Sequence, residues 1–396
     1  MFYSLPPAGN RIPLTILGAI HRLMREDPET FLNPIKEYLG GNNLLLYLSS
    51  GRAALWLILK TFSSFFPEKN EVIIPAYSCP AVASAILKVG LKPVLCDINL
   101  DNFGFSMEDL EKKITTKILA VVIVHLFGFP ANIGETRQIC VQKKVVMVED
   151  AAQGFGNTLF NESETKLGLV GDAGFYSFGR GKPLSLLHGG LALFNSPDIF
   201  NKALEMYKNL NPFNGFKNIK LALTLGGYAI LSNPYFYWLP EILPFLHLGE
   251  TVFEEEINPF QGSSLSKILI ISLLDSLDKE KKIRGNNSEW YAENISRISG
   301  IKPAPSTKFP YLRYPLLLPN KHMRDRQLAS LKASGTGAAL FYPCPLNALP
   351  GLKEILKDGN EYPNAQRLAD SLITLPVHSG VTPKIRENIF SILRDF

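Results

Sequence analysis

Short apolar segments alternate with longer mixed segments along the first half of the chain, from about residue 44 to residue 195. Short apolar runs with few polar interruptions are typical of strands that are buried on both faces. The segments between them, such as 53–62 and 81–88, are expected to be helices. The alternation predicts an α/β fold in which helices cover both faces of a mostly parallel sheet. The predicted strands lie at 72–74, 93–97, 118–124, 145–148, 174–177 and 191–194.

A different pattern begins near Ser264, where apolar residues recur at helical spacing and lead into a charged segment at 278–282. The charged segment is most simply a solvated helix face. A strand at 311–318 and a helix at 322–334 follow it. These elements predict a smaller α+β domain, and we therefore expect a large domain at 1–262 and a small C-terminal domain at 263–396.

Polar residues mark two helix starts. Ser106 is followed three residues later by Asp109, which is the spacing of a capping box. Thr382 precedes Pro383, and this pair predicts an N-cap followed by proline at the first helical position. The terminal helix that begins there is expected to end near Asp395.

The segment 221–240 carries no charge and contains four consecutive aromatic residues at 235–238. Gly226-Gly227 and Asn233-Pro234 are expected to interrupt any long helix in it. We favour an insertion at about 205–255 that is buried or faces a second subunit. The alternative is a surface that lies on a membrane or binds a lipid-linked sugar. A membrane-spanning helix is the least favoured interpretation.

Length and charge limit the possible classes of protein. A chain of 396 residues exceeds the size at which a single hydrophobic core stops growing, which supports two domains. The formal charge of +5 comes from 41 basic and 36 acidic residues spread along the chain, without a basic block. The charge therefore indicates solubility or an anionic ligand and argues against a nucleic-acid-binding surface.

The four cysteines are widely spaced and form neither a Cys-x-x-Cys pair nor a group at metal-ligand spacing. Reduced thiols and no metal site are the simplest interpretation. The first residues lack a charged region followed by an apolar core, so they do not form a signal peptide. We expect a cytoplasmic protein.

The segment 145–190 contains the most specific chemistry. A predicted strand leads into Glu-Asp-Ala-Ala-Gln at 149–153, and a Ser-x-x-x-x-Lys turn follows from Ser177 to Lys182. A pyridoxal phosphate site requires a carboxylate to keep the ring nitrogen protonated, groups that hold the phosphate, and an amine that forms a Schiff base. Asp150, Ser177 and Lys182 are the candidates for these three tasks. The neighbouring cation Arg180 is expected to help lower the pKa of Lys182.

These residues resemble the DegT/DnrJ/EryC1/StrS family of sugar aminotransferases, and further motifs occur in the same order along the chain. The resemblance implies the fold of fold-type I pyridoxal phosphate enzymes and a homodimer whose sites are shared between subunits. It also implies transfer of an amino group from glutamate or glutamine to a keto group of an activated sugar. The matching segments are Ser-Gly-Arg-Ala-Ala-Leu at 50–55, Pro-Ala-Tyr-Ser at 75–78, His-Leu-Phe-Gly-Phe-Pro at 125–130, Gly-Asp-Ala-Gly-Phe-Tyr-Ser-Phe at 171–178, Tyr-Pro-Cys-Pro-Leu at 342–346, Tyr-Pro-Asn-Ala at 362–365 and Leu-Pro-Val-His-Ser-Gly at 375–380.

By this resemblance Lys182 is the Schiff-base lysine and the group that moves the substrate proton. Asp150 pairs with the pyridine nitrogen, and Gln153 hydrogen-bonds the side of the ring that carries the 3-hydroxyl. The alternatives are an ordinary lysine in a glycine-rich loop, a capping aspartate at a strand end and a partly buried polar glutamine.

The phosphate site of the family corresponds to Ser50, Gly51 and Arg52, at a helix N-terminus where free N–H groups favour an anion. Arg52 replaces the usual threonine, so only the backbone contact carries over, although an arginine can bind phosphate through its own side chain. Ser177 contributes to the same site.

Three features depart from the family. The aromatic residue that stacks on the ring is expected two residues after Tyr77, but Cys79 stands there, so Tyr77 is the candidate substitute. The family's Asn-x-Arg-Met-Ser segment, which reaches the neighbouring subunit, corresponds to 258–264 and lacks its arginine. His125 and His188 lie near motif positions, but each is more simply a hydrogen-bonded core residue. Tyr342 and His378 are expected to shape the cleft.

Two other functions are compatible with the sequence. A sugar dehydratase of this family uses pyridoxamine phosphate without a covalent lysine, and Lys182 argues against it. A binding or regulatory protein that retains the fold without turnover is the second, since Cys79 and the missing arginine alter the usual site.

Overall fold

The computed structural model describes residues 3–9, 32–41, 43–159, 164–241 and 251–395. The predicted insertion at 205–255 extends over 242–250, which lie outside the described residues. The strands are β1 (Leu44–Leu48), β2 (Glu71–Pro75), β3 (Lys92–Cys96), β4 (Ile118–Val124), β5 (Val146–Asp150), β6 (Ala173–Ser177), β7 (Gly190–Phe194), β8 (Tyr314–Leu317) and β9 (Leu372–Leu375). The helices are α1 (Asn33–Leu39), α2 (Gly51–Phe65), α3 (Pro80–Val89), α4 (Met107–Lys113), α5 (Ile133–Lys143), α6 (Pro197–Lys208), α7 (Gly215–Leu231), α8 (Trp238–Glu241), α9 (Ser264–Ile295), α10 (Lys321–Ala333), α11 (Pro363–Ser371) and α12 (Pro383–Arg394).

A seven-stranded sheet in the order β1-β7-β6-β5-β4-β2-β3 lies within the predicted large domain. The pairs from β3 to β6 are parallel, and β7 runs antiparallel to both β6 and β1. The six predicted strands are confirmed within two residues at each end. The first strand, β1, was not among them, although Leu44–Leu48 is an apolar run. The predicted α/β fold with a mostly parallel sheet is confirmed.

The parallel strands are buried on both faces, as the short apolar runs predict. Alternate residues of a strand point to opposite faces. Val122 of β4 packs in the same cluster as the buried residues of α2 and α3, and Val121 packs in a different cluster with those of α4 and α5. All seven residues of β4 are buried. This double layer of helices fixes the strands and the loops at their ends.

The 32-residue helix α9 runs between the two predicted domains. Its first half packs on residues of β1, β6 and β7, and Tyr291 and Ile295 pack in the cluster that contains β8 and β9. The charged segment at 278–282 is not simply a solvated face, because Lys281 donates to the carbonyl of Gly156 at 2.5 Å and Glu280 accepts from the N–H of Ser379 at 3.0 Å. The boundary between residues 262 and 263 stays a prediction.

Two helix caps were predicted from short polar motifs, and one of the two is confirmed. Thr382 caps α12 by accepting from the N–H of Ile385, as predicted. The capping box at Ser106 is wrong, although α4 does begin there. Ser106 makes no side-chain cap, because the Asp109 carboxylate accepts from the N–H of Asp97 at 2.7 Å and from Lys113 at 2.8 Å.

The first half of the uncharged aromatic segment belongs to one continuous helix. Helix α7 passes through Gly226-Gly227 without a break and ends before Asn233-Pro234. Each glycine costs a helix only about 1 kcal/mol, whereas proline removes a backbone donor. Within the described residues, no helix is both long enough and apolar enough to cross a membrane.

Candidate active site

The candidate residues converge where strands β5 and β6 end and helix α2 begins. Asp150 is the last residue of β5, Ser177 is the last residue of β6, and Gly51 is the first residue of α2. The two strands are parallel neighbours, so their carboxyl ends meet at one edge of the sheet. Ligands of open α/β sheets bind at this edge.

The N-terminus of α2 forms a tight cradle against β6 and β7. A Cβ atom on Gly51 would lie 2.8 Å from the Cβ of Ser177, and one on Gly190 would lie 2.4 Å from the backbone of Ser50. Ser50 caps the helix by accepting from the N–H of Ala53 at 3.1 Å. The first N–H groups of the helix have no partner within it and favour an anion. The cradle therefore fits a phosphate group held by Gly51 and Ser177.

Asp150 supplies a buried carboxylate beside this cradle. It is only 6% exposed, and its Oδ1 accepts from the N–H of Ala152 at 3.0 Å. Burial raises the pKa of the Asp150 carboxyl, while Lys182, the N–H of Ala152 and His125 act in the opposite direction. A cationic ring nitrogen would compensate the cost of burying this charge. The donor set thus fits a protonated pyridine ring.

Lys182 lies in the loop that connects β6 to β7. The loop is closed by backbone hydrogen bonds from Phe178 to the carbonyl of Gly189 at 2.9 Å and from Leu186 to the carbonyl of Phe178 at 2.8 Å. The Ser185 hydroxyl also accepts from the N–H of Gly181 at 3.1 Å. This loop brings the Lys182 ammonium close enough to Asp150 to favour the charged carboxylate and so to oppose the effect of burial on its pKa.

Gln153 is buried next to the site and oriented by one backbone contact. Its Oε1 accepts from the N–H of Phe127 at 2.9 Å. Since the oxygen must face that donor, the Nε2 group is the end of the amide that can donate to a ligand. Its predicted contact with the 3-hydroxyl side of the ring stays a prediction.

Arg52 and Tyr77 already have protein partners. The Arg52 guanidinium forms an ion pair with Glu254, so its proposed bond to phosphate stays a prediction. Tyr77 is fully buried, and its hydroxyl donates to the carbonyl of Tyr342 and accepts from the N–H of Tyr342, both at 3.1 Å. Tyr77 therefore joins the large and small domains, and its role in covering the ring is untested.

Tyr342, which was expected only to shape the cleft, lies close to Cys79 and Asp150. Its ring lies 5.4 Å from that of Tyr77. Burial raises the pKa of Tyr342 well above its usual value, and the nearby Cys79 thiol and Asp150 carboxylate raise it further. An aromatic side chain from the small domain thus reaches the space beside Cys79, where the stacking residue of the family was expected.

His125 and Glu149 form a buried pair behind Asp150. The His125 Nδ1 accepts from the N–H of Ala131 at 3.2 Å, so its Nε2–H donates to Glu149 at 3.0 Å. Glu149 also accepts from the N–H groups of Gly168, Val170 and Gly171, at 2.8, 2.5 and 2.6 Å. The interpretation of His125 as a hydrogen-bonded core residue is confirmed.

Replacing Glu149 by Gln is expected to lower the free energy of unfolding by about 3 kcal/mol, because it breaks a buried pair and turns an NH2 group toward backbone donors. Urea denaturation measures the difference. The matched control is Glu289→Gln, whose carboxylate pairs with Lys308 at a partly exposed site and contributes at most about 1 kcal/mol. Equal losses of stability in Glu149→Gln and Glu289→Gln would contradict a stabilising role for the buried pair of Glu149 and His125.

The two other histidines named from the sequence motifs, His188 and His378, are also held by hydrogen bonds within the protein. His188 packs on Phe213, accepts from the N–H of Ser263 at 3.3 Å, and has its pKa lowered to about 4 by burial. The Nδ1 of His378 accepts from the N–H of Gly380, and its Nε2–H donates to the carbonyl of Pro6 at 2.9 Å.

A groove of about 640 Å³ lies away from these residues, between the ends of β3 and β8. Asp101, Lys302 and Arg367 line it, and none of the candidate site residues does. Asp101 and Lys302 are paired with one another. The geometry of the strand ends, and not the volume of this groove, identifies the site.

Comparison with known proteins finds sequence similarity along most of the chain. Residues 23–217 and 264–394 match the sequence profile described as the DegT/DnrJ/EryC1/StrS aminotransferase family. L-glutamine:2-deoxy-scyllo-inosose aminotransferase of Streptomyces fradiae is 32% identical over 300 residues, which cover 74% of this chain and 63% of the relative. dTDP-4-amino-4,6-dideoxy-D-glucose transaminase of Shigella dysenteriae is 24% identical, and the alignment covers 99% of this chain and 97% of the relative.

Solved structures show the same fold at lower sequence identity. Helicobacter pylori PseC, an aminotransferase involved in the biosynthesis of pseudoaminic acid, superimposes with a TM-score of 0.77 at 20% identity, covering 99% of this chain and 98% of that one. The PLP form of a putative sugar aminotransferase from Streptococcus pneumoniae gives a TM-score of 0.75 at 21% identity, with 99% and 97% covered.

Proposed function

Because the chain belongs to the DegT/DnrJ/EryC1/StrS aminotransferase family, we propose that it moves an amino group from glutamate or glutamine to a keto group of an activated sugar, with pyridoxal phosphate as cofactor. The observation that carries this proposal is the placement of Lys182 beside the buried carboxylate of Asp150, next to the cradle of Gly51 and Ser177. The donor and the sugar are the parts that need an experiment.

Each residue of the candidate site has a separate role in this reaction. Pyridoxal phosphate supplies an aldehyde that takes up amino groups and a ring that accepts electrons from the carbon beside the nitrogen. Gly51 and Ser177 hold the phosphate at the N-terminus of α2. Asp150 keeps a proton on the ring nitrogen. The Lys182 Nζ removes the proton from the substrate carbon and returns it on the cofactor side. Tyr342 excludes water from the side of the small domain.

The donor is tested by mixing the purified holoenzyme with glutamate, glutamine or alanine in the absence of any sugar. We expect glutamate or glutamine to convert the cofactor to its amine form, which changes its absorption spectrum, and alanine to do so much more slowly. No conversion by either donor would contradict an aminotransferase that uses them. Cofactor binding without conversion is the result that a binding protein would give.

We also propose that the protein is a homodimer. Helix α7 exposes one apolar face, with Phe216 at 76% and Leu223 at 73% exposed, and Ile219 and Ile230 lie on the same face. Apolar patches of this kind mark contact surfaces. Sedimentation analysis of the protein and of Leu223→Glu tests the proposal. A monomeric wild-type protein that sediments with anionic vesicles would instead support the membrane-surface alternative.

A further inference from the structure

Arg313 reaches from the small domain toward the loop that carries Lys182. It directly precedes β8 in the chain. One of its terminal nitrogens, Nη2, is 3.6 Å from the position that a Cβ on Gly181 would occupy. Its guanidinium carbon lies 5.8 Å from the ring centre of Phe341. The guanidinium is therefore adjacent to the residue that immediately precedes Lys182.

This guanidinium has no anionic partner among the described residues. The Arg313 Nε is buried and has no hydrogen-bond partner. The largest electrostatic influences on it come from Tyr237, Tyr342, Tyr228 and Arg180. Burial is the main cause that lowers the pKa of Arg313 below its ordinary value. Arg313 as a whole is half-buried, and a cation held partly out of water without an anionic partner is costly, which makes an arrangement of this kind unusual in a purely structural role.

Arg284 shows how the same protein treats a structural arginine. Its Nη1 donates to the carbonyl of Leu312 at 2.5 Å, its Nη2 donates to the carbonyl of Ala8 at 2.9 Å, and its Nε lies 3.4 Å from Glu280. Every nitrogen of Arg284 therefore has a partner. Arg313, which precedes the next element β8, lacks an anionic partner among the described residues and faces the active-site loop instead.

We propose that Arg313 binds the carboxylate of the amino donor. This inference rests on the proposed transamination. The carboxylate of an amino acid is bonded to the same carbon whose proton the Lys182 Nζ removes, so its binding site must lie within a few bond lengths of Lys182. A guanidinium fork matches a carboxylate with two parallel hydrogen bonds. The segment 258–264 contains no arginine, so Arg313 also supplies a cation that this segment does not.

The test measures binding of glutarate, a dicarboxylate without a reactive amine, to the holoenzyme by calorimetry. In Arg313→Gln we expect the Kd for glutarate to rise by roughly 10- to 100-fold, which is the loss of charge-assisted hydrogen bonds. The Kd of Arg313→Lys for glutarate is expected to lie between those of the wild type and Arg313→Gln. The matched control is Lys384→Gln, which removes an equal charge from an exposed position on α12 and should leave the Kd unchanged.

Thermal stability separates this role from a structural one. Because Arg313→Gln removes a half-buried charge that has no anionic partner among the described residues, its melting temperature without donor should equal or exceed that of the wild type. A fall of several degrees together with weaker glutarate binding would overturn the proposal in favour of a structural role.

Three further outcomes decide against it. Glutarate affinity that is unchanged in Arg313→Gln, or absent in the wild type, overturns the assignment. A loss of affinity for a nucleoside diphosphate in place of glutarate would assign Arg313 to the phosphate of the acceptor and also overturn it. If the wild type binds glutarate through Arg313 but fails to react with glutamate or glutamine, the proposed donor is wrong and the carboxylate site stands.

Discussion

Replacing Lys182 by alanine is expected to reduce turnover by at least about 10³-fold, since positioned proton transfer by one side chain is worth roughly 10²- to 10⁴-fold and Lys182 is also the covalent attachment point. Lys182 lies in a loop closed by backbone hydrogen bonds, and its ammonium acts electrostatically on Asp150. The rate at which glutamate converts the bound cofactor, measured by stopped-flow absorption, checks the expectation without requiring a known sugar.

Two controls keep this result interpretable. Lys202→Ala removes a lysine that pairs with Glu205 on the surface of α6, and it should react at the wild-type rate. Added small primary amines should partly restore the reaction in Lys182→Ala, because they replace the missing base. A Lys182→Ala enzyme within tenfold of the wild type would remove Lys182 from the mechanism.

Replacing Asp150 by asparagine is expected to reduce turnover by about 10²- to 10³-fold, which is the usual loss when one preorganised electrostatic contact is removed from a site. Asparagine retains the shape of the side chain and can still accept from the N–H of Ala152, but it cannot stabilise a protonated ring nitrogen. The cofactor should still bind, because the phosphate cradle at Gly51 is intact. Single-turnover rates and cofactor affinity, measured on the same samples, separate these two effects.

Asp150→Asn should also make the cofactor-free protein more stable at neutral pH. Burial raises the folded-state pKa of Asp150 above its ordinary value of 3.8. The group therefore contributes stability below that ordinary value and loses the contribution as the pH rises through the folded-state pKa. The variant's advantage should shrink as the pH falls toward 3.8. Asp101→Asn, which removes an exposed carboxylate, is the control, and an advantage for Asp150→Asn that persists at low pH would contradict the burial argument.

Strands and motif residues could be predicted from the sequence because their causes are local. Strand β4 is an uninterrupted apolar run, and its predicted bounds agree with those observed. Asp150 and Lys182 stand at fixed positions relative to strands β5 and β6, so a spacing of residues was sufficient to pair them. The continuous helix α7 was not predicted, because the glycine pair was weighted more heavily than the apolar residues around it.

Features that depend on distant parts of the chain could not be predicted. The Asp109 carboxylate is taken by the backbone of Asp97, which no local capping rule anticipates. Tyr342 reaches Cys79 and Asp150 only after the small domain packs on the large one. Arg313 gives no signal in the sequence, since its significance lies in the partners that it lacks. Arg52 was interpreted as a possible ligand of the phosphate. Its ion pair with Glu254 could not be predicted, because the two residues are about 200 positions apart in the chain.

The central claim is that the cofactor is held at Lys182. Reduction of the purified holoenzyme with borohydride, followed by proteolysis and mass spectrometry of the peptides, tests it most directly. We predict that the mass of reduced pyridoxal phosphate appears on the peptide that contains Lys182 and is absent from the same peptide after conversion of the cofactor by glutamate. Labelling of another lysine, or of no lysine in a preparation that contains the cofactor, would contradict the account.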